Sequence, residues 1–309
     1  MIRIIRRIIN MNNIPVFPDG ARVVFAGDSI THGNKYVALI NEYYRANLKD
    51  RKVQFFNCGI AGGTTGTLLA VFDRDIMYYN PTHIVLTIGG NDSGIVLLRN
   101  KNEKTYDELC EYYEIFKKNI DTFAKRCKEK GITLYFGTTF PYAEYQKGSP
   151  DIYKGGYALF KHYADTIREY AEKNGYPYCD YHPYLTKIEM FTDLYREDHL
   201  HPTYDVGHYY IAKCFLESQG LEIDKNELSP EVEEWHTRTL AVRSIFVTMY
   251  ENSCLSAPFE EAKAKIQNYL DTAEATDPKA AYKIGIAKTF MQNYDAFDEN
   301  REWLCAFGK

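Results

Sequence analysis

Four times before residue 140 the chain repeats one device: a short apolar run stops at glycine or a small polar residue, and apolar residues then resume at helical spacing. The runs cover residues 23–26, 53–57, 83–88 and 132–138. They are too short for helices, and their near-continuous apolar character reads as strands buried on both faces. Helical spacing follows each one. Val37, Ile40, Tyr44 and Leu48 share a face over 35–48, with Asn34 the expected N-cap, and Leu69, Phe72, Ile76 and Tyr79 share one that stops before Pro81. Leu109, Tyr113, Phe116, Ile120, Phe123 and Cys127 do the same over 106–130, closed by Gly131. A helix at 157–174, a short fifth strand at 178–180 and a helix at 204–219 continue the alternation. Right-handed crossovers place helices on both faces of such a sheet, so the expected fold class over 21–220 is α/β, a three-layer α/β/α sandwich around a parallel sheet.

Beyond residue 220 only helical patterns remain. Pro230, Pro258 and Pro278 open three of them, and Val232, Trp235, Thr239, Val242, Phe246 and Met249 form a stripe that must be covered. A C-terminal all-helical extension over 221–309 is expected, its stripe packed on the α/β unit or on a second subunit in a homo-oligomer. Residues 1–20 read as an N-terminal arm. Residues 1–10 are basic and apolar, with too short an apolar core for a signal peptide, and Met11 offers an alternative start.

Composition narrows the partners. With 45% hydrophobic and 26% charged residues in 309, the chain has ample material for a core. A net charge of -5 leaves no basic field for a phosphate backbone, so nucleic acid is not an expected partner. No apolar run approaches a membrane span, and seven scattered cysteines suit a reducing compartment; a cytoplasmic location is the expectation.

The strand ends hold the chemistry. Gly27-Asp28-Ser29 ends the first strand, and Ser29 is the candidate nucleophile, although the same residues also make an ordinary turn. A serine hydroxyl needs a base, and the base needs an orienting acceptor. Of eight histidines, His201 has the suggestive setting: Asp198 precedes it by three residues, about one helical turn, so its carboxylate can hold the Nδ1 tautomer and leave Nε2 for Ser29. His199 is the rival within the same loop. Gly62 can offer a backbone N–H at close range and Asn91 a side-chain amide, donors for an oxyanion beside the Ser29 N–H. No His-Glu-x-x-His, zinc-spaced cysteine pair or Walker lysine occurs, and no cofactor or metal is expected.

In order, Gly27-Asp28-Ser29-Ile30, Asn57-x-Gly-x-x-Gly62, Gly89-x-Asn91-Asp92 and Asp198-x-x-His201-Pro202 resemble the four blocks of the SGNH hydrolases, also called GDSL esterases. The resemblance covers about 21–219. It implies a flavodoxin-like sandwich in which Ser29 is the nucleophile, His201 the base, Asp198 its orienting partner, and Ser29, Gly62 and Asn91 the oxyanion hole. It also implies a serine esterase for small acyl groups, acetyl on a carbohydrate first among them. Tyr142, Tyr145, Tyr153 and Tyr157 around the 140–156 loop could stack on sugar rings. The same machinery would serve a thioesterase or lysophospholipase, and the fold alone would serve a non-catalytic binding module. The 221–309 extension lies outside the family pattern.

Overall fold

The computed structural model describes residues 14–99, 104–147 and 152–309. The reading of the first residues as an arm with an alternative start therefore falls largely outside the described residues. In chain order, β1 (Arg22–Gly27) leads into a single helical turn, α1 (Ser29–His32), and then α2 (Lys35–Asn47). β2 (Gln54–Gly59) precedes α3 (Thr65–Val71), and β3 (His83–Thr87) precedes the short α4 (Ile95–Arg99) and the long α5 (Tyr106–Glu129). β4 (Thr133–Gly137), α6 (Gly156–Asn174), β5 (Tyr178–Cys179), α7 (Tyr181–Glu189) and α8 (Val206–Ser218) follow. Four further helices end the chain: α9 (Pro230–Glu251), α10 (Phe259–Thr272), α11 (Pro278–Tyr294) and α12 (Phe297–Ala306).

Among the described residues five strands are parallel in the order β2-β1-β3-β4-β5, the flavodoxin-like arrangement, whose switch point lies between β1 and β3. Register aligns Val23 with Phe55 and His83, and Val85 with Tyr135, so alternate residues share a face. On that face Phe25 meets Tyr36 of α2 and Phe215 of α8, and Phe55 meets Tyr44 of α2. On the opposite face Phe136 meets Tyr170 of α6, and Phe56 stacks on Tyr79. The three layers are thus closed by aromatic side chains, each stabilising by about 1.5–3 kcal/mol when fully buried.

The C-terminal helices cover the β2 edge, where an unpaired strand would invite association. Gln54 of β2 donates its amide to the carbonyls of Cys305 and Phe307 at 3.0 and 2.7 Å. The apolar stripe of α9 is buried inside the chain: Val232, Trp235, Thr239, Val242, Phe246 and Met249 are each at most 2% exposed. Among the described residues no helix is long and apolar enough to cross a membrane.

Local readings needed correction in four places. Asn34 stands at the N-cap position of α2, but in a left-handed conformation (φ 64°) with no side-chain cap, because its amide is committed to Asn57 and His236. The helix expected to run to Tyr79 is α3 followed by a π turn (Phe72–Ile76) and a 3-10 turn (Met77–Tyr79). The helix α7 occupies a stretch that carried no helical expectation, and α8 begins at Val206 rather than at residue 204.

Candidate active site

Ser29 owes its position to the way β1 ends. A Cβ on Gly27 would lie 2.2 Å from Thr31 Oγ1 and 2.6 Å from the Thr87 carbonyl, so only glycine lets β1 finish tightly against β3 and α1. Asp28 then caps α1, its Oδ1 accepting the Ile30 N–H at 3.0 Å. As the first residue of this turn, Ser29 has an N–H without an intrahelical acceptor. Its hydroxyl Oγ lies 2.9 Å from His201 Nε2.

His201 arrives from the loop between α7 and α8. Its Nδ1 lies 2.6 Å from Asp198 Oδ2, while Asp198 Oδ1 accepts the backbone N–H groups of Leu200 and His201 at 3.0 and 2.9 Å. Burial alone would raise the Asp198 carboxyl, but the bonds from the His201 ring and from these two N–H groups hold it well below the usual carboxylate range. An ionised carboxylate only accepts, so Nδ1 carries the ring proton and Nε2 presents a lone pair to Ser29 Oγ. His199 does not compete for this place. It is buried at φ 59°, with Nδ1 2.6 Å from the Ala143 carbonyl, and Ala143 N–H donates in return to the His199 carbonyl at 2.9 Å.

The loops after β2 and β3 meet beside Ser29. Asn91 Nδ2 donates to the Gly63 carbonyl at 3.0 Å and ties the two loops together. Gly62 adopts φ +74°, and a Cβ there would stand 2.9 Å from the Tyr250 ring, so both backbone and space demand glycine. Asp92 accepts the Thr65 N–H at 3.0 Å and the Thr65 hydroxyl at 2.5 Å, which fixes the start of α3. Burial pushes the Asp28 and Asp92 carboxyls up to about 6 despite these bonds. The sequence blocks contained both aspartates, yet only their burial distinguishes them from turn formers. Beside Ser29 is a narrow, half-open and largely apolar cleft lined by Ile30, Ile88, Asn91, Thr139, Phe140 and Leu200, with a volume of about 10 Å³, room for roughly one water. Among the described residues no group of three or more His, Cys, Asp or Glu is placed to hold a metal ion.

Residues 25–206 match the GDSL-like Lipase/Acylhydrolase family, a span that runs from within β1 past the His201 loop. The chain belongs to this family. As a GDSL-like acylhydrolase it is an ester hydrolase, with the parallel sheet and helical C-terminal region described above. Among curated proteins it is similar to an acetylxylan esterase of Geobacillus stearothermophilus, 23% identical over an alignment of 222 positions that covers 66% of this chain and 95% of the relative. Solved structures share the fold. A variant of an acetyl xylan esterase from Geobacillus stearothermophilus superposes with a TM-score of 0.56 at 19% identity, covering 68% of this chain and 99% of its own. A gut microbial diltiazem-metabolizing enzyme superposes with a TM-score of 0.70 at 18% identity over 96% of both chains. The second neighbour's match, over 96% of this chain, extends into the C-terminal helices.

Proposed function

We propose that this protein is a serine esterase that removes small acyl groups, acetyl foremost, from a hydroxyl-bearing alcohol such as a carbohydrate. The observation that carries the reading is the alignment of Ser29 Oγ, His201 Nε2 and, behind the ring, Asp198 Oδ2, at 2.9 and 2.6 Å. Ser29 Oγ attacks the ester carbonyl as His201 Nε2 takes its proton; Asp198 holds the ring tautomer and steadies the imidazolium that forms. The carbonyl oxygen, now an oxyanion, accepts from the Ser29 N–H, the Gly62 N–H and the second amide hydrogen of Asn91, the first being engaged with Gly63. Collapse of the tetrahedral species expels the alcohol, which receives the proton from His201. Water, deprotonated by the same ring, then attacks the acyl-Ser29 ester and releases the acid.

The narrow, largely apolar cleft beside Ser29, about 10 Å³, supports a small acyl group such as acetyl. The name of the curated relative, an acetylxylan esterase, adds support for acetyl on a sugar. The test compares p-nitrophenyl acetate with the butyrate ester, then acetylated sugars with acyl thioesters, in wild type and Ser29→Ala. Acetate turnover well above butyrate turnover is expected. Preference for butyrate would contradict the small-acyl reading.

A further inference from the structure

His236 lies on α9, outside the family match, yet it stands at the centre of a hydrogen-bond chain that reaches the base loop, the nucleophile turn and the loop after β2. Its Nε2 meets the hydroxyl of Tyr204, three residues beyond His201. Its Nδ1 lies 2.9 Å from Asn34 Nδ2, and Asn34 Oδ1 accepts from Asn57 Nδ2 at 2.8 Å. Asn57 also donates to the Thr31 carbonyl of α1 at 2.5 Å and accepts the Gly59 N–H at 2.7 Å. Arg243, again from α9, closes the path by donating Nε–H to the Gly59 carbonyl at 2.9 Å. Gly59 is itself wedged against α1, where a Cβ would stand 2.2 Å from the His32 backbone nitrogen.

We propose that His236 is a positioning residue: through Tyr204, Asn34 and Asn57 it locks the base loop, the nucleophile turn and the Gly59–Gly62 loop to α9. This rests on the serine-esterase reading above. Asn34, Asn57 and Arg243 are at most 2% exposed and His236 is 7% exposed, so the chain runs where an unpaired polar group is costly and an apolar replacement would often serve stability equally well. Asn34 spends its oxygen on Asn57, which leaves its NH₂ for His236; Nδ1 therefore accepts and Nε2–H donates to Tyr204. Burial holds this imidazole down to about 4, so it keeps the neutral form in which both bonds exist. Left-handed backbone at Asn34 is the cost of aiming its amide at Asn57 and His236 rather than at the α2 terminus.

The experiment measures kcat and KM for p-nitrophenyl acetate, with thermal melting, in wild type, His236→Ala, His236→Gln, Tyr204→Phe and Ser29→Ala. Misplacement of a catalytic constellation by an ångström costs on the order of 100-fold, so His236→Ala should lose about 10–100-fold in kcat while KM stays within about twofold. Tyr204→Phe, at a residue 37% exposed, should fold and lose kcat in the same direction by less, and His236→Gln should recover part of the loss because its amide can both accept and donate. Should His236→Ala not fold, Tyr204→Phe and His236→Gln decide the question. Wild-type kcat in the folded variants, whatever their melting temperatures, would reduce the chain to a purely structural role and overturn the proposal. A rate that survives Ser29→Ala would remove the esterase reading and take this inference with it, an outcome the control identifies separately.

Discussion

Two histidines of this protein are each held between a hydroxyl and a short polar side chain. His201 lies between Ser29 Oγ and Asp198, and His236 between Tyr204 Oη and Asn34. The group at Nδ1 separates them. A carboxylate at His201 draws the proton to Nδ1 and leaves Nε2 bare toward a hydroxyl; an amide N–H at His236 occupies Nδ1 and places the proton on Nε2. The first arrangement suits proton abstraction. The second fixes geometry and abstracts nothing. Burial follows the same division, since the His201 side chain is 33% exposed whereas His236, on the inner face of α9, is buried.

This contrast breaks most sharply at the serine. Ser29→Ala should lower kcat for p-nitrophenyl acetate by at least about 10⁴-fold, because a nucleophile lost from a cooperating set removes nearly all of its benefit. Asp198→Asn makes the first array resemble the second, an amide facing Nδ1; a loss of about 10⁴-fold in kcat at nearly constant KM is expected from the wrong tautomer. Near-native turnover in that variant would mean that the tautomer argument fails. Asn91→Ala should cost about 10²–10³-fold in kcat, with KM little changed, because the oxyanion exists only beyond the ground state. A raised KM at unchanged kcat would place Asn91 in ground-state binding instead.

The smallest effect expected is on stability. Burial raises the Asp28 carboxyl from its usual 3.8 to about 6. With the folded value above the unfolded one, its contribution is full below the unfolded value and is lost as pH rises through the folded value, because the charged form must then be buried. Asp28→Asn keeps an oxygen for the Ile30 N–H and removes that charge. Its melting temperature should exceed that of wild type by several degrees at pH 8 and match it near pH 4. An equal difference at both values would dissociate Asp28 from the pH dependence.

Legibility in the sequence followed distance and burial. The parallel sheet was readable because each apolar run and its following helix are adjacent in the chain, and the strand ends bearing Ser29, Gly62 and Asn91 are punctuated by glycine. The Asp198–His201 spacing was readable for the same reason. Asn34 holds the expected N-cap position but forms no side-chain cap, because its side-chain partners, Asn57 and His236, are 23 and 202 residues away, and local propensity cannot weigh such bonds. The π turn at Phe72–Ile76 was likewise invisible, since its residues keep an apolar spacing that an unbroken α-helix would share. Nothing in the Pro230–Glu251 pattern separates His236 and Arg243 from solvent-facing polar residues; tertiary packing alone makes them buried.

With His201 as its base, Ser29 is expected to become acylated during turnover. Acid quenching of the enzyme during turnover of p-nitrophenyl acetate, followed by digestion and mass spectrometry, tests it directly. An acetyl group is expected on the peptide containing Ser29 in the wild type and none in Ser29→Ala. Sustained hydrolysis with Ser29 unmodified, and an undiminished rate in Ser29→Ala, would contradict it.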